Sequence, residues 1–204
     1  MNVPGILTPE LERFRIRCLV VGGIAMALLF AGAAISPPEF FHAYLTAYLF
    51  WIGIALGSLA LLMLHHLVGG RWGFVIQRLL ESATRTLPLL LALFVPLLFG
   101  LQELYLWARP EAVAAQEILK HRQPYLNMPF FMVRVVVYFA VWIGLATLLC
   151  KWSLEQDRTG APELTRRLQR LSAPGLILYA LTMTFASFDW VMTLGPQWHS
   201  TLFG

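Results

Sequence analysis

The chain has 204 residues, of which 58% are hydrophobic and only 13% charged, with a mean hydropathy of +0.68. Soluble domains carry about a quarter charged residues, so this composition excludes a soluble globular domain and indicates a multi-spanning membrane protein. The net charge of +4 is not a nucleic-acid footprint, because basic residues in a membrane protein report orientation.

Residues 1–17 are polar and carry Arg13, Arg15 and Arg17. The uncharged run at 18–35 is long enough to span a bilayer with help from its flanks. Ala31-Gly32-Ala33 resembles a leader cleavage site, but the run is longer than a usual leader core and Glu10 and Glu12 precede it. Ser36-Pro37-Pro38 breaks this first helix, and a short loop with Glu39 and His42 follows. The second span is expected at about 45–66. Its Gly53 and Gly57 form a small-residue ridge on which another helix can approach closely, and His65 and His66 close it.

Between 71 and 85, Val75, Ile76, Leu79, Leu80 and Ala83 share one helical face, and Arg78, Glu81 and Arg85 share the other. This reads either as an amphipathic helix on the membrane surface or as a linker helix docked on the bundle. The third span is expected at about 87–107, with Pro88 in its first turn, Pro96 in its middle, and Gln102 and Glu103 near its far end. Pro110 opens a short polar helix to about Arg122. The fourth span is expected at about 130–151, with Arg134 one turn inside. A polar loop at 153–172 follows, and Pro174 starts the fifth span at about 174–194. Asp189 lies shortly before the end of that span, with Trp190 and Trp198 as boundary aromatics.

The expected fold is all-α, a polytopic transmembrane helix bundle of five spans with short interfacial helices, forming a single membrane domain over 1–204. Eleven Lys and Arg fall on the side of the N-terminus and of the second and fourth loops, and three (Arg109, Lys120, Arg122) on the other. The positive-inside rule therefore places the N-terminus in the cytoplasm.

Glu103, Arg134 and Asp189 come from three spans and share a depth near the outer face. Charged residues in spans face the bundle interior and pair, which predicts an outer polar cluster with Gln102, His42 and Asn127 at its rim. It serves either as a salt bridge locking the helices, or as a pocket for a quinone headgroup or a proton relay. His65 and His66 point in different directions on a helix and do not chelate one metal. Each is a candidate proton-entry group at the inner end, against the plainer reading of an interfacial histidine. The two cysteines, Cys18 and Cys150, form no C-x-x-C motif, which argues against a cluster or zinc site held by this chain alone. No nucleotide-binding or hydrolase motif occurs, so no self-contained active site is expected.

Several stretches carry a likeness beyond their physics: 49–73 (LFWIGIALGSLALLMLHHLVGGRWG), 83–88 (ATRTLP), 125–131 (YLNMPFF), 152–157 (WSLEQD) and 184–204 (TFASFDWVMTLGPQWHSTLFG). Together they resemble the polysulfide-reductase-like (NrfD-like) F-type membrane subunits of alternative complex III, a respiratory quinol:cytochrome c or quinol:oxidase oxidoreductase. The resemblance covers the chain from Phe40 onward and implies a bacterial inner membrane as the host. It implies a membrane subunit contributing to quinone interaction, proton conduction or both, or else a non-catalytic scaffold; a small-solute transporter is the remaining alternative. The implied partners are a sister NrfD-like membrane subunit, multihaem cytochrome c and iron–sulfur subunits, a terminal oxidase and membrane lipid. Haem c and iron–sulfur clusters would reside in those partners, and quinone or quinol is the one ligand implied here. Family members are about twice this length with about ten spans, so the chain is expected to be a fragment or a truncation. Many members also carry a glutamate at the position of Gly195 and an aromatic at that of His199.

Overall fold

The computed structural model describes residues 7–70 and 72–195, with the backbone alone at 7, 8, 30, 33 and 34. In chain order the helices are α1 (Leu7–Ile35), α2 (Pro37–Val68), α3 (Gln77–Thr84), α4 (Leu87–Phe99), α5 (Leu101–Leu104), α6 (Pro110–Ala115), α7 (Glu117–Arg122), α8 (Met128–Thr159) and α9 (Pro162–Trp190). Two 3₁₀ turns, Leu106–Ala108 and Met192–Leu194, complete the described elements. Among the described residues, four segments are long and apolar enough to cross a membrane: Pro37–Val68, Gln77–Phe99, Met128–Thr159 and Pro162–Leu194. The chain is an all-α, multi-pass membrane protein. The expected first span is helical within α1 but is not one of the four.

Proline marks the helix starts. Pro37 and Pro38 open α2 and Pro88 lies in the first turn of α4, positions whose N–H groups have no helical partner anyway. Glu39 and His42, expected in a loop, therefore lie in the first turns of α2. The polar stretch 153–172 is likewise not a loop. α8 continues to Thr159, Gly160 caps it at φ 63°, and α9 starts at Pro162. A left-handed glycine ends a helix without steric cost, so two residues make the whole turn. Pro174 consequently lies inside α9 rather than at its start, a position that membrane helices tolerate.

α2 is central and packs against α3, α4, α8 and α9, while α8 and α9 form an antiparallel hairpin. The core is filled by Ile52, Leu56, Leu59 and Leu62 of α2, Phe94 and Leu97 of α4, and Phe131, Phe139 and Trp142 of α8. Trp190 of α9 joins them, only 3% exposed, with ring centroids of Phe94 at 5.1 Å and Trp142 at 5.9 Å. It is a core residue, not the boundary aromatic that its position suggested; Trp198 lies outside the described residues. Large apolar side chains also face outward, among them Phe50, Trp51, Ile177, Leu181 and Phe185, as suits a bundle in lipid.

α3 buries a mixed face rather than the expected apolar one. Leu80, Glu81 and Thr84 are buried, whereas Val75, Arg78, Leu79 and Arg85 are exposed. Glu81 finds a hydrogen-bonding partner in Ser153 of α8. Through Arg85 and Thr86 the chain passes almost directly into α4, so the third crossing begins earlier than 87. It also ends earlier, at Gly100, before the short α5. The helix expected from Pro110 breaks at Gln116 into α6 and α7.

The Gly53–Gly57 ridge meets nothing within 4 Å among the described residues, so no described helix of this chain uses it. The close approach occurs at Gly100, where an added methyl group would collide with the Phe41 ring. Gly100→Ala should therefore cost about 1–3 kcal/mol through overpacking, whereas Gly53→Ala should be neutral or stabilising by about 0.5–1 kcal/mol. Reversible unfolding in mixed micelles reads both, and equal effects would contradict this packing.

Candidate functional site

The hairpin brings the second turn of α8 beside the last turn of α9. There Arg134 and Asp189 form a two-pronged pair, Nε donating to Oδ2 at 2.8 Å and Nη2 to Oδ1 at 2.9 Å. The third nitrogen, Nη1, donates to the Tyr125 carbonyl at 2.9 Å, and the guanidinium carbon lies 3.9 Å from the Tyr125 ring centroid. Asp189 Oδ2 also accepts from the Tyr138 hydroxyl at 2.7 Å. Asp189 is fully buried and Arg134 is 7% exposed. Planar guanidinium and carboxylate match as two parallel hydrogen bonds, and neither charge would be tolerable here alone.

Neighbouring backbone is tied to the same place. Thr193 Oγ1 donates to the Asp189 carbonyl at 2.6 Å, and the Tyr105 hydroxyl donates to the Trp190 carbonyl at 2.9 Å. Buried among these groups, the Tyr105 hydroxyl is pushed above its ordinary pKa, first by desolvation and then by the Asp189 charge.

Glu103 does not join the pair. Because the helix breaks at Gly100, Glu103 lies on α5, partly exposed, 3.7 Å from Arg109 Nη2. Arg109 also donates to the carbonyls of Gln102 and Glu103. The expected rim makes local bonds as well: His42 Nδ1 donates to the Pro38 carbonyl at 2.7 Å, and Asn127 Oδ1 caps α8 by accepting from the Phe130 N–H at 2.9 Å. His199 lies outside the described residues.

Beside the pair is a cavity of about 350 Å³, lined by His121, Arg122, Tyr125, Phe188, Met192 and Thr193. Its mixture of aromatic walls and a few convergent polar groups is typical of small-molecule sites. Tyr125 and Thr193 are shared with the Arg134–Asp189 group. His121 was outside the sequence-based candidates because α7 reads only as a short polar helix.

The opposite end of the bundle holds His65 and His66. The His65 ring is buried, meets Trp72 edge-on at 5.4 Å, and is packed against by Gly73. His65 Nδ1 and His66 Nε2 are buried without a hydrogen-bond partner among the described residues. A group that sequence reasoning missed lies at this end as well. Glu81, 4% exposed, accepts from Ser153 Oγ at 2.5 Å, Arg78 Nη1 at 2.5 Å and Gln77 Nε2 at 3.1 Å, and Arg78 also pairs with Asp157. Two serine or cysteine positions on α8, Ser153 and Cys150, were the available signal that a polar face packs there.

Compared with models of known protein families and with curated proteins, the chain matches none.

Arg134→Ala and Asp189→Ala should each destabilise by about 3–5 kcal/mol, since each strands a buried charge. The double variant should cost less than the sum of the two; additive losses in a double-mutant cycle of micellar unfolding would contradict the pairing. Desolvation, followed by the Asp189 charge, pushes the Tyr125 hydroxyl up to about 12. Its contribution to stability is complete below the ordinary tyrosine pKa of about 10 and disappears as pH rises toward the folded value. An ultraviolet phenolate titration, with that of Tyr125→Phe subtracted, should show Tyr125 ionising well above the ordinary tyrosine pKa of about 10.

Proposed function

We propose that this chain is an integral membrane subunit of a quinol-oxidising respiratory complex of the alternative complex III type, in which the cavity beside Tyr125 contacts the quinone headgroup. The observation that carries this reading is that a cavity of about 350 Å³ lined by His121 also has Tyr125 and Thr193 in its wall, two residues bonded to the buried Arg134–Asp189 pair. The sequence stretches at 49–73 and 184–204 supply the respiratory context. In this reading Asp189 is not the proton acceptor, because Arg134 and Tyr138 occupy its carboxylate. It is a positioning residue that holds Tyr125, Phe188 and Thr193 in place. His121 is the group able to accept a hydrogen bond or a proton from a quinol hydroxyl. Electrons would pass to haem c and iron–sulfur clusters of partner subunits. With the N-terminus in the cytoplasm, this end of the bundle faces outward, and His65 and His66 lie at the inner end as candidate proton-entry groups.

A second reading, a non-catalytic scaffold within the same kind of complex, is favoured by the completeness of the bonding around Asp189. The two readings separate in the full-length assembled complex. With quinone contact, His121→Ala should raise the KM for quinol at least several-fold while the complex still assembles. With a scaffold alone, His121→Ala should leave KM and kcat unchanged, and Asp189→Asn should lower the yield of complex without altering turnover per assembled complex.

A further inference from the structure

A groove of about 440 Å³ runs between the start of α4 and the second half of α8, away from the cavity just discussed. Pro88, Ile143, Ala146 and Leu154 give it an apolar floor, and Arg85 and Lys151 stand at its edge. Both cations are exposed, and neither makes an ion pair among the described residues. No carboxylate lines the groove. Glu81, four residues before Arg85, is taken up by Arg78 and Ser153, and Glu155, a turn beyond Lys151, is exposed outside the lining.

Depth supplies the second argument. The uncharged run of the third crossing begins at 87 and that of the fourth ends at 150, so Arg85 and Lys151 mark the same boundary on two adjacent helices. Phosphates of a bilayer lie at such a boundary, and long basic side chains reach toward them. Pro88, Ile143 and Ala146 lie on the hydrocarbon side of that line.

We propose that this groove binds one anionic phospholipid, its phosphate between Arg85 and Lys151 and an acyl chain along Pro88, Ile143 and Ala146. A soluble anion would use the two cations but leave the apolar floor uncovered. A zwitterionic lipid would use the floor but bring its own ammonium toward the same two charges. An anionic phospholipid satisfies both halves of the groove.

The test is native mass spectrometry of the full chain released from detergent micelles containing equal amounts of phosphatidylglycerol and phosphatidylcholine. The unaltered chain should retain phosphatidylglycerol with a preference of about 30-fold. Arg85→Gln and Lys151→Gln should each reduce that preference about 5-fold, and the double variant should abolish it. Arg166→Gln, which removes an exposed cation from α9 outside the groove, should leave it unchanged. If the double variant is not recovered folded, the single variants decide. Equal retention of the two lipids overturns the proposal. So does a preference unmoved by either groove variant, or one lowered as much by Arg166→Gln, which would indicate only general attraction to basic protein.

Discussion

The bundle depends on one charge pair placed where charges are least welcome. Arg134 and Asp189 each carry a desolvation cost that is offset chiefly by the other, and their two parallel hydrogen bonds require one rotation and one height of α9 against α8. That requirement positions the next residue. Trp190, immediately after Asp189, is carried into the centre of the bundle, where its ring lies against Tyr48 of α2, Phe94 of α4 and Trp142 of α8. A polar contact between two helices thereby sets the apolar packing of four. Slipping α9 by one residue would strand both charges and withdraw the tryptophan together.

A second polar group works in the same way at the other end. Glu81 holds α3 to α8 through Ser153, and Arg78 reaches on to Asp157. Between the two groups the packed surfaces are almost wholly apolar, with the buried Ser172, and Trp142 donating to Thr182 at 2.9 Å, as exceptions in that stretch of the hairpin. Buried polar groups at both ends specify register, and dispersion in the middle supplies contact area. Packing alone would allow several rotations of such smooth helices, because lipid competes for apolar surface as well as a helix does.

Much of this was legible in the residues. Hydropathy reveals four of the five expected crossings, although Pro174 lies inside a helix rather than at its start, and the depth of Arg134 and Asp189 within their runs predicts that they meet. Glu103 was expected with them because a span drawn from hydropathy is assumed straight, whereas Gly100 ends the helix and redirects the chain. Trp190 looked like a boundary aromatic because depth along a helix is readable from sequence and azimuth around it is not. Glu81 was grouped with Arg78 and Arg85 on one polar face; only Glu81 turns inward, because Ser153 of α8 is within hydrogen-bonding reach. The 153–172 stretch looked like a loop because polarity reports water, and water surrounds a protruding helix as readily as a loop. Gly160 and Pro162 were the residues there whose chemistry marked the turn.

That turn bears on how the chain enters the membrane in the first place. With only Gly160 and Ala161 between them, α8 and α9 are too closely joined to cross far apart, and their buried charge pair lies at the open end of the hairpin, far from the turn. During synthesis Arg134 emerges 55 residues before Asp189, so an arginine must wait near the membrane until its carboxylate arrives. Insertion as a preformed hairpin lets the two neutralise each other on the way in, whereas stepwise insertion would expose each to hydrocarbon in turn. The short glycine turn thus favours entry of these two helices as one hairpin.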